Sequence, residues 1–295
     1  MGTTSSTIAI IGAGRVGRAI AGKLRQAGWH ILGVVTRSNA SARRAVRQIG
    51  AGKPYGGLTR LILDAGVLLI AVPDDSISTV AKRLARIGGE ELQGKVVLHT
   101  SGALDRRALV PLEEAGASTG SVHPMQSFST RFAPSLDGVH MVIEGAPGAL
   151  RVARKIVREL GGVPVRLRDG QKETYHAAGV FAAAHVLAMV EAGTRALTIA
   201  GFPRRQAEAA LLRLSRQVLS NFQGFGPAVA WSGPLARGDF GTIAGNMRAL
   251  KKFPREFAEA YAAASRLGAR VLARRPKTVL AKLESALRAG AKKFR

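Results

Sequence analysis

An apolar run, Ile8-Ala9-Ile10-Ile11, passes without a break into Gly12-Ala13-Gly14-Arg15-Val16-Gly17, and this junction constrains the fold more than any other stretch. A strand that feeds a helix through glycines at these spacings predicts a dinucleotide pocket. Gly12 permits the tight turn, Gly14 lets the backbone approach a pyrophosphate, and Gly17 lets the helix pack close to the strand. Arg15 and Val16 open that helix, whose N-terminal amides would meet the phosphates.

Further apolar, β-branched segments recur at Ile31 to Val35, Val67 to Val72, Val96 to His99, Ser118 to Val122, Val139 to Ile143 and Val163 to Leu167. Helical patterns separate them, and strands alternating with helices predict an α/β fold with a Rossmann-type, mostly parallel sheet. The helix after the glycine turn is expected over Val16 to Ala27, stopping at Gly28. Another is expected over Ser76 to Ile87, behind the turn Pro73-Asp74-Asp75, with Asp75 or Ser76 as its cap. After Leu167 no strand signal returns, and alanine, leucine and arginine dominate at helical spacing. The expected division is a dinucleotide-binding domain over residues 1–168 and an all-helical C-terminal domain over 169–295. The latter opens with a long helix, Glu173 to Ala200, rich in small residues such as Ala177, Ala178, Gly179 and Ala182 to Ala184. Such a helix is expected to be buried between domains or protomers.

At 295 residues, 46% of them hydrophobic, the chain is long enough for two domains with a sizeable core. It has no cysteine, which excludes disulfides, thiolate metal sites and cysteine nucleophiles, and fits a reducing compartment. The leader Met1 to Thr7 is polar and uncharged, and no apolar run is expected to reach the roughly 18 residues of a membrane span. The expectation is a cytoplasmic protein with no membrane segment. Lys and Arg total 44 against 19 Asp and Glu, a net charge of +25. Such a field attracts phosphates, acidic metabolites and nucleic acid alike. The basic stretch from Arg270 to Arg295 reads as a solvated helix face rather than a nucleic-acid contact, because aromatics for base stacking are not interleaved through it.

An NAD site would place Asp or Glu at the end of the second strand, on the ribose hydroxyls. Here Thr36-Arg37-Ser38 follows Val35 instead, with Arg43 and Arg44 beyond it. A guanidinium with two hydroxyls suits a ribose 2′-phosphate, so NADP is favoured over NAD. Val72, Pro73 and Asp74 close a strand expected beside the first, where ligands sit outside the carboxyl ends of an open parallel sheet. They are expected to border the nicotinamide ribose.

Two further strand ends carry polar residues, His99-Thr100-Ser101-Gly102 and His123-Pro124-Met125-Gln126. His123 is the leading candidate to orient substrate or transfer a proton, since an imidazole titrates near neutral pH and reduction of a carbonyl needs a proton. Ser101 is a candidate to hydrogen-bond a carbonyl or carboxylate. Lys172 and His176, four apart, are expected to share one face of the long helix near its start. Lysine there would bind an acidic substrate or donate a proton. His185 is expected in packing or an interface, and His30 and His140 in structural roles. Arg237 and Asp239, in the glycine-rich stretch Trp231 to Thr242, are expected either to reach substrate or a partner protomer, or to pair as a helix connector.

Taken together, GAGRVG, AVPDDSI, LHTSGA, SVHPMQSF, YHAAGVFAAAH and SGPLARGDFGT make nearly the whole chain resemble a Rossmann-like family with a helical C-terminal domain of unknown function. That family lies within the 6-phosphogluconate dehydrogenase-like superfamily. It is similar to ketopantoate reductases, pyrroline-5-carboxylate reductase, prephenate dehydrogenase and deazaflavin-dependent NADP reductases. The resemblance implies NAD(P)-dependent hydride transfer and a homodimer built through the helical domain. His123-Pro124 looks like the element in which prephenate dehydrogenases contact the substrate hydroxyl, and Lys172 lies near the catalytic lysine of the superfamily's hydroxyacid dehydrogenases. Those enzymes carry asparagine four residues after the lysine; this chain has His176, and Ala184 stands where relatives often carry asparagine.

The function expected is an NADP-dependent oxidoreductase acting on a small, acidic carbonyl or imine compound, with His123 and Lys172 managing the proton and the carboxylate. The alternatives are a sensor or scaffold that binds NADP without turnover, and a nucleic-acid-binding protein using the basic surface.

Overall fold

The computed structural model describes residues 6–128 and 134–291. Its first half begins with β1 (Thr7–Ile11), α1 (Arg15–Gln26), β2 (His30–Val35), α2 (Asn39–Ile49), β3 (Lys53–Tyr55), β4 (Val67–Ile70) and α3 (Asp74–Gly88). It continues with β5 (Val96–His99), α4 (Val110–Glu114), β6 (Ser118–Pro124), β7 (His140–Gly145), α5 (Pro147–Glu159) and β8 (Val163–Arg166). The strands form one eight-stranded sheet in the order β3-β2-β1-β4-β5-β6-β7-β8. All neighbours are parallel except β6 and β7.

The central strands are apolar without alternation because both faces are covered. Ile8, Ile10, Leu69 and Leu98 join a core with Ile20 and Leu24 of α1 and Ile156 of α5. Ala9, Ile11, Leu68 and Ile70 join another with Ile77, Ala81 and Leu84 of α3. In α1, Gly17, Ile20, Ala21 and Leu24 are buried at helical spacing, and Gly28, at φ 86, follows the helix end as expected.

The structure differs from the sequence reading at several elements. β3 has the sequence Lys-Pro-Tyr, which lacks β-branched residues and contains a proline; it is tolerated because β3 is an edge strand. β6 continues through His123 to Pro124, because its antiparallel pairing with β7 holds Pro124 against Met141. Neither Asp75 nor Ser76 caps α3: the helix starts at Asp74 with Pro73 at the cap position, and the Ser76 hydroxyl donates to Asp75 at 3.0 Å.

After β8 come α6 (Lys172–Val180), a π-helical turn (Phe181–His185) and α7 (Val186–Ile199). These are followed by α8 (Arg204–Phe225), α9 (Pro227–Ala230), α10 (Pro234–Arg237), α11 (Phe240–Ala249), α12 (Arg255–Leu272) and α13 (Pro276–Ala291). Among the described residues no strand follows β8. The chain divides into two compact units, Met1–Ala183 and Ala184–Arg295, a division that falls inside the long helix.

The long helix, Lys172–Ile199, has a mean hydropathy of 1.4 in its most apolar window, enough in length and composition to cross a membrane. This corrects the expectation that no such stretch exists. In the single chain it is mostly exposed, His185 included, and burial against a second protomer stays a proposal. In the second unit a small core gathers Ile243, Ala244 and Met247 of α11, Ala262 and Ala269 of α12, and Leu283 and Leu287 of α13. Lys292, Lys293 and Arg295 of the basic terminus lie outside the described residues.

Candidate active site

The parallel register aligns Ile11, Ile70, His99 and Ser121 in one row along the carboxyl edge of β1, β4, β5 and β6. The residues after each of them therefore open on one side of the sheet, the side on which such sheets bind ligands.

At the end of β1, Gly12 has φ 94, and a Cβ there would stand 2.5 Å from the Ala71 carbonyl oxygen and 2.7 Å from Val72 Cγ1. A Cβ on Gly17 would stand 2.4 Å from the Gly12 oxygen. Both positions exclude any other residue. Gly14 is different: a Cβ there would meet nothing within 4 Å, so its backbone faces open space. It occupies the N-cap of α1, where no side chain caps the helix and no acidic residue stands in the first turn. Uncapped amides with open space before them have the chemistry to receive a diphosphate. Arg15 Nη1 donates to the Phe128 carbonyl at 2.9 Å, and Arg18 Nη1 to that of Ala13 at 2.7 Å.

At the end of β2, the Thr36 hydroxyl donates to the Ser38 carbonyl at 2.9 Å, and Ser38 Oγ caps α2 by accepting the Ser41 amide at 3.3 Å. Arg37, Arg43 and Arg44 are exposed. No carboxylate occurs between Val35 and Ile49.

After β5 the chain makes a tightly held loop. His99 is fully buried; its Nδ1 accepts the Ser101 amide at 3.2 Å, which leaves the proton on Nε2 for the Asp105 carbonyl at 3.1 Å. Burial, with Lys172 adding to it, pulls its pKa down to about 4. Ser101 Oγ accepts the amides of Ala103 (3.1 Å) and Leu104 (2.9 Å), so the serine acts within the turn. Glu144, on β7 and 4% exposed, accepts the Arg106 amide at 3.1 Å and the Ser121 hydroxyl at 3.4 Å. Burial raises its pKa.

His123 and Lys172 converge on this loop. A Cβ on Gly102 would lie 2.9 Å from His123 Cε1 and Nε2, so glycine is what lets the imidazole rest against the loop. Lys172, 3% exposed, donates from Nζ to the Ser101 carbonyl at 2.8 Å. Burial lowers its pKa to about 8, opposed by Glu144, Asp105 and Asp74. His123 is pulled down to about 4 by burial, then by Lys172 and His176, with Asp74 opposing. Asp74, at the start of α3, thus lies within electrostatic reach of both.

His176 is exposed while Lys172 is buried, so the pair do not present one common surface; His176 lies within electrostatic reach of His123. Arg237 and Asp239 belong to the second unit, where Asp239 caps α11 by accepting the Thr242 amide at 3.1 Å and hydroxyl at 2.6 Å. Three residues were missed from sequence. Tyr175 Oη and His123 Nδ1 share a 2.7 Å hydrogen bond, with the rings edge to face. The signal available was its place on the helix, three residues after Lys172. Gly102 and Glu144 were legible only as a turn glycine and a lone carboxylate in an apolar strand.

Comparison with known proteins agrees with this architecture. Residues 3–124 match the model of a Rossmann-like domain, and residues 139–267 match that of a domain of unknown function, DUF2520. Among solved structures, the chain is similar to a candidate NADP oxidoreductase from Bacteroides fragilis, with 21% identity over 88% of this chain and 96% of that one and a TM-score of 0.71. It is similar to a pyrroline-5-carboxylate reductase from Coxiella burnetii, with 19% identity over 94% of this chain and 99% of that one and a TM-score of 0.60. An imine reductase from Myxococcus stipitatus in complex with NADP+ gives 18% identity over 90% of this chain and 94% of that one, with a TM-score of 0.66. At these identities the likeness establishes a common fold. No curated protein matches the chain.

Proposed function

Starting from a chain that joins a Rossmann-like domain to a DUF2520 domain, we propose that it is an NADP-dependent oxidoreductase acting on a small, acidic carbonyl or imine compound. The observation that carries this reading is the glycine turn, where Gly12 and Gly17 admit no side chain while Gly14 leaves the uncapped start of α1 open to a diphosphate. Gly12, Gly14, Arg15, Val16 and Gly17 would hold the pyrophosphate, Thr36, Arg37 and Ser38 the 2′-phosphate, and Val72, Pro73 and Asp74 the nicotinamide ribose. NADP is favoured over NAD because the stretch after β2 offers guanidinium and hydroxyl groups and no carboxylate. The NADP+ complex of the Myxococcus imine reductase, which shares this fold, supports the same cofactor.

Bound NADPH supplies a hydride to the substrate carbon. The protein's own groups supply the rest. Lys172, charged below about pH 8, attracts an anionic substrate and holds the Ser101 loop in place. His123, on β6 beyond the residue paired with the end of β5 and within electrostatic reach of Asp74, would orient the substrate or serve its proton. Ser101 and His176 complete the set, one shaping the loop and the other lying within electrostatic reach of His123.

A homodimer through the helical unit belongs to the same reading. On α8, Leu214, Val218, Phe222 and Phe225 form a stripe at helical spacing and are 41–69% exposed, and Leu187 and Met189 of α7 are exposed as well. Apolar surface of this extent supports contact with a second copy. The absence of cysteine supports a cytoplasmic setting.

The test is NADPH consumption across a panel of 2-oxo acids and cyclic imines, repeated with His123→Ala and Lys172→Ala. Turnover that falls in both variants, with NADPH affinity kept, is the expected result. Binding of NADPH without turnover of any compound would favour a sensor instead.

A further inference from the structure

Within that oxidoreductase reading, we infer that Tyr175 is the catalytic acid, the group that hands its hydroxyl proton to the substrate heteroatom, and that His123 is the positioning residue behind it. The inference rests first on geometry. The Tyr175 hydroxyl lies 2.7 Å from His123 Nδ1, and the imidazole is fixed on its other side, where Cε1 and Nε2 rest against Gly102. The loop bearing Gly102 is itself fixed by His99, Lys172 and Glu144. The tyrosine is thus the outer member of a supported pair, half-buried at the start of α6.

Proton chemistry agrees. The titratable groups that act on His123 are Lys172 and His176 from α6 and Asp74 from α3; burial leads, Lys172 and His176 add to it, Asp74 opposes, and its pKa stands near 4. At neutral pH it carries one proton only, and cannot serve as an imidazolium acid. Burial holds Tyr175 up at about 12, so its proton stays in place through the neutral range. As the substrate carbon takes up its hydride, the π pair of C=N or C=O moves to the heteroatom, the Tyr175 O–H bond breaks, and an N–H or O–H bond forms. The phenolate regains a proton from Nδ1 of His123 while Nε2 takes one from water. The sum is one hydride and one proton added to the substrate, and one proton removed from solvent.

The experiment uses the full chain with NADPH and two probes, pyruvate as a 2-oxo acid and 1-pyrroline-2-carboxylate as an acidic cyclic imine. Tyr175→Phe keeps the ring and removes the hydroxyl. We expect kcat to fall roughly 100-fold or more, with the NADPH dissociation constant, read by fluorescence, changed by less than about twofold. His123→Ala should lower kcat as well, and adding it to Tyr175→Phe should cost little more, because the pair acts as a unit. A Tyr175→Phe enzyme within about threefold of the unaltered rate would overturn the assignment while leaving the oxidoreductase reading intact. NADPH binding without turnover of either probe by the unaltered protein contradicts both the assignment and the catalytic reading. Failure to bind NADPH at all contradicts the cofactor site itself.

Discussion

At the scale of single residues, the buried bases of the site set how the protein responds to pH. His99 and His123 have folded values near 4 against an ordinary 6.5. The unfolded chain therefore takes up protons that the fold refuses, and their contribution to stability is full above 6.5 and lost as the pH falls toward 4. Lys172 has a folded value of about 8 against 10.5. By the same linkage its desolvation penalty shrinks as the pH rises between those values. Urea unfolding is expected to show weaker folding at pH 4.5 than at pH 7. It should also show a gain of about 2 kcal/mol between pH 7 and 9.5 that disappears in Lys172→Met. A Lys172→Met protein with the same alkaline gain would contradict the burial assigned to this lysine. The sequence displayed these residues unevenly. Gly12, Gly14 and Gly17 were legible because their roles follow from backbone geometry, and His123 and Lys172 because strand ends and a helix start predict where they fall. Ser101 was legible as polar but not as a turn acceptor. Tyr175 was overlooked because its partner, His123, is far away in the chain and only the folded sheet brings the two together.

At the scale of elements, legibility followed burial. β1, β4 and β5 are buried on both faces, so their continuous apolar runs announce them. β3 escaped because an edge strand needs neither apolar nor β-branched residues, and Pro54 reads as a breaker. The long helix showed its length, but its split between units at Ala183/Ala184 is a matter of packing that spacing does not encode. Its neighbour α8 carries the stripe Leu214, Val218, Phe222 and Phe225, all exposed in a single chain. If that stripe meets a second copy, Val218→Glu with Phe222→Glu should convert a dimer to a monomer by light scattering at micromolar concentration. Because both residues are exposed, the circular dichroism spectrum should stay unchanged. A double variant that remains dimeric would move the interface elsewhere.

At the scale of the whole molecule, a net charge of +25 surrounds a fold whose proposed phosphate site is built mainly on the backbone of the glycine turn. The two would act differently: the general field draws in any polyanion, whereas on the proposed reading the glycine turn and the Thr36-Arg37-Ser38 stretch select one ligand shape. Heparin retention therefore says little, and selectivity between related dinucleotides says much. The fold class and the two-part organisation were both legible from alternating strands and helices followed by helices alone. The substrate was not, because on the proposed reading its identity depends on side chains brought together from the β5 loop, β6 and α6 only by the fold. The most direct test is a calorimetric titration of the unaltered protein, Gly14→Val and Arg37→Ala with NADPH and with NADH. NADPH should bind the unaltered protein at least about tenfold more tightly than NADH, Arg37→Ala should remove most of that preference, and Gly14→Val should abolish binding of both. Equal affinity of Gly14→Val for NADPH, or no binding by the unaltered protein, would contradict a dinucleotide seated on the glycine turn.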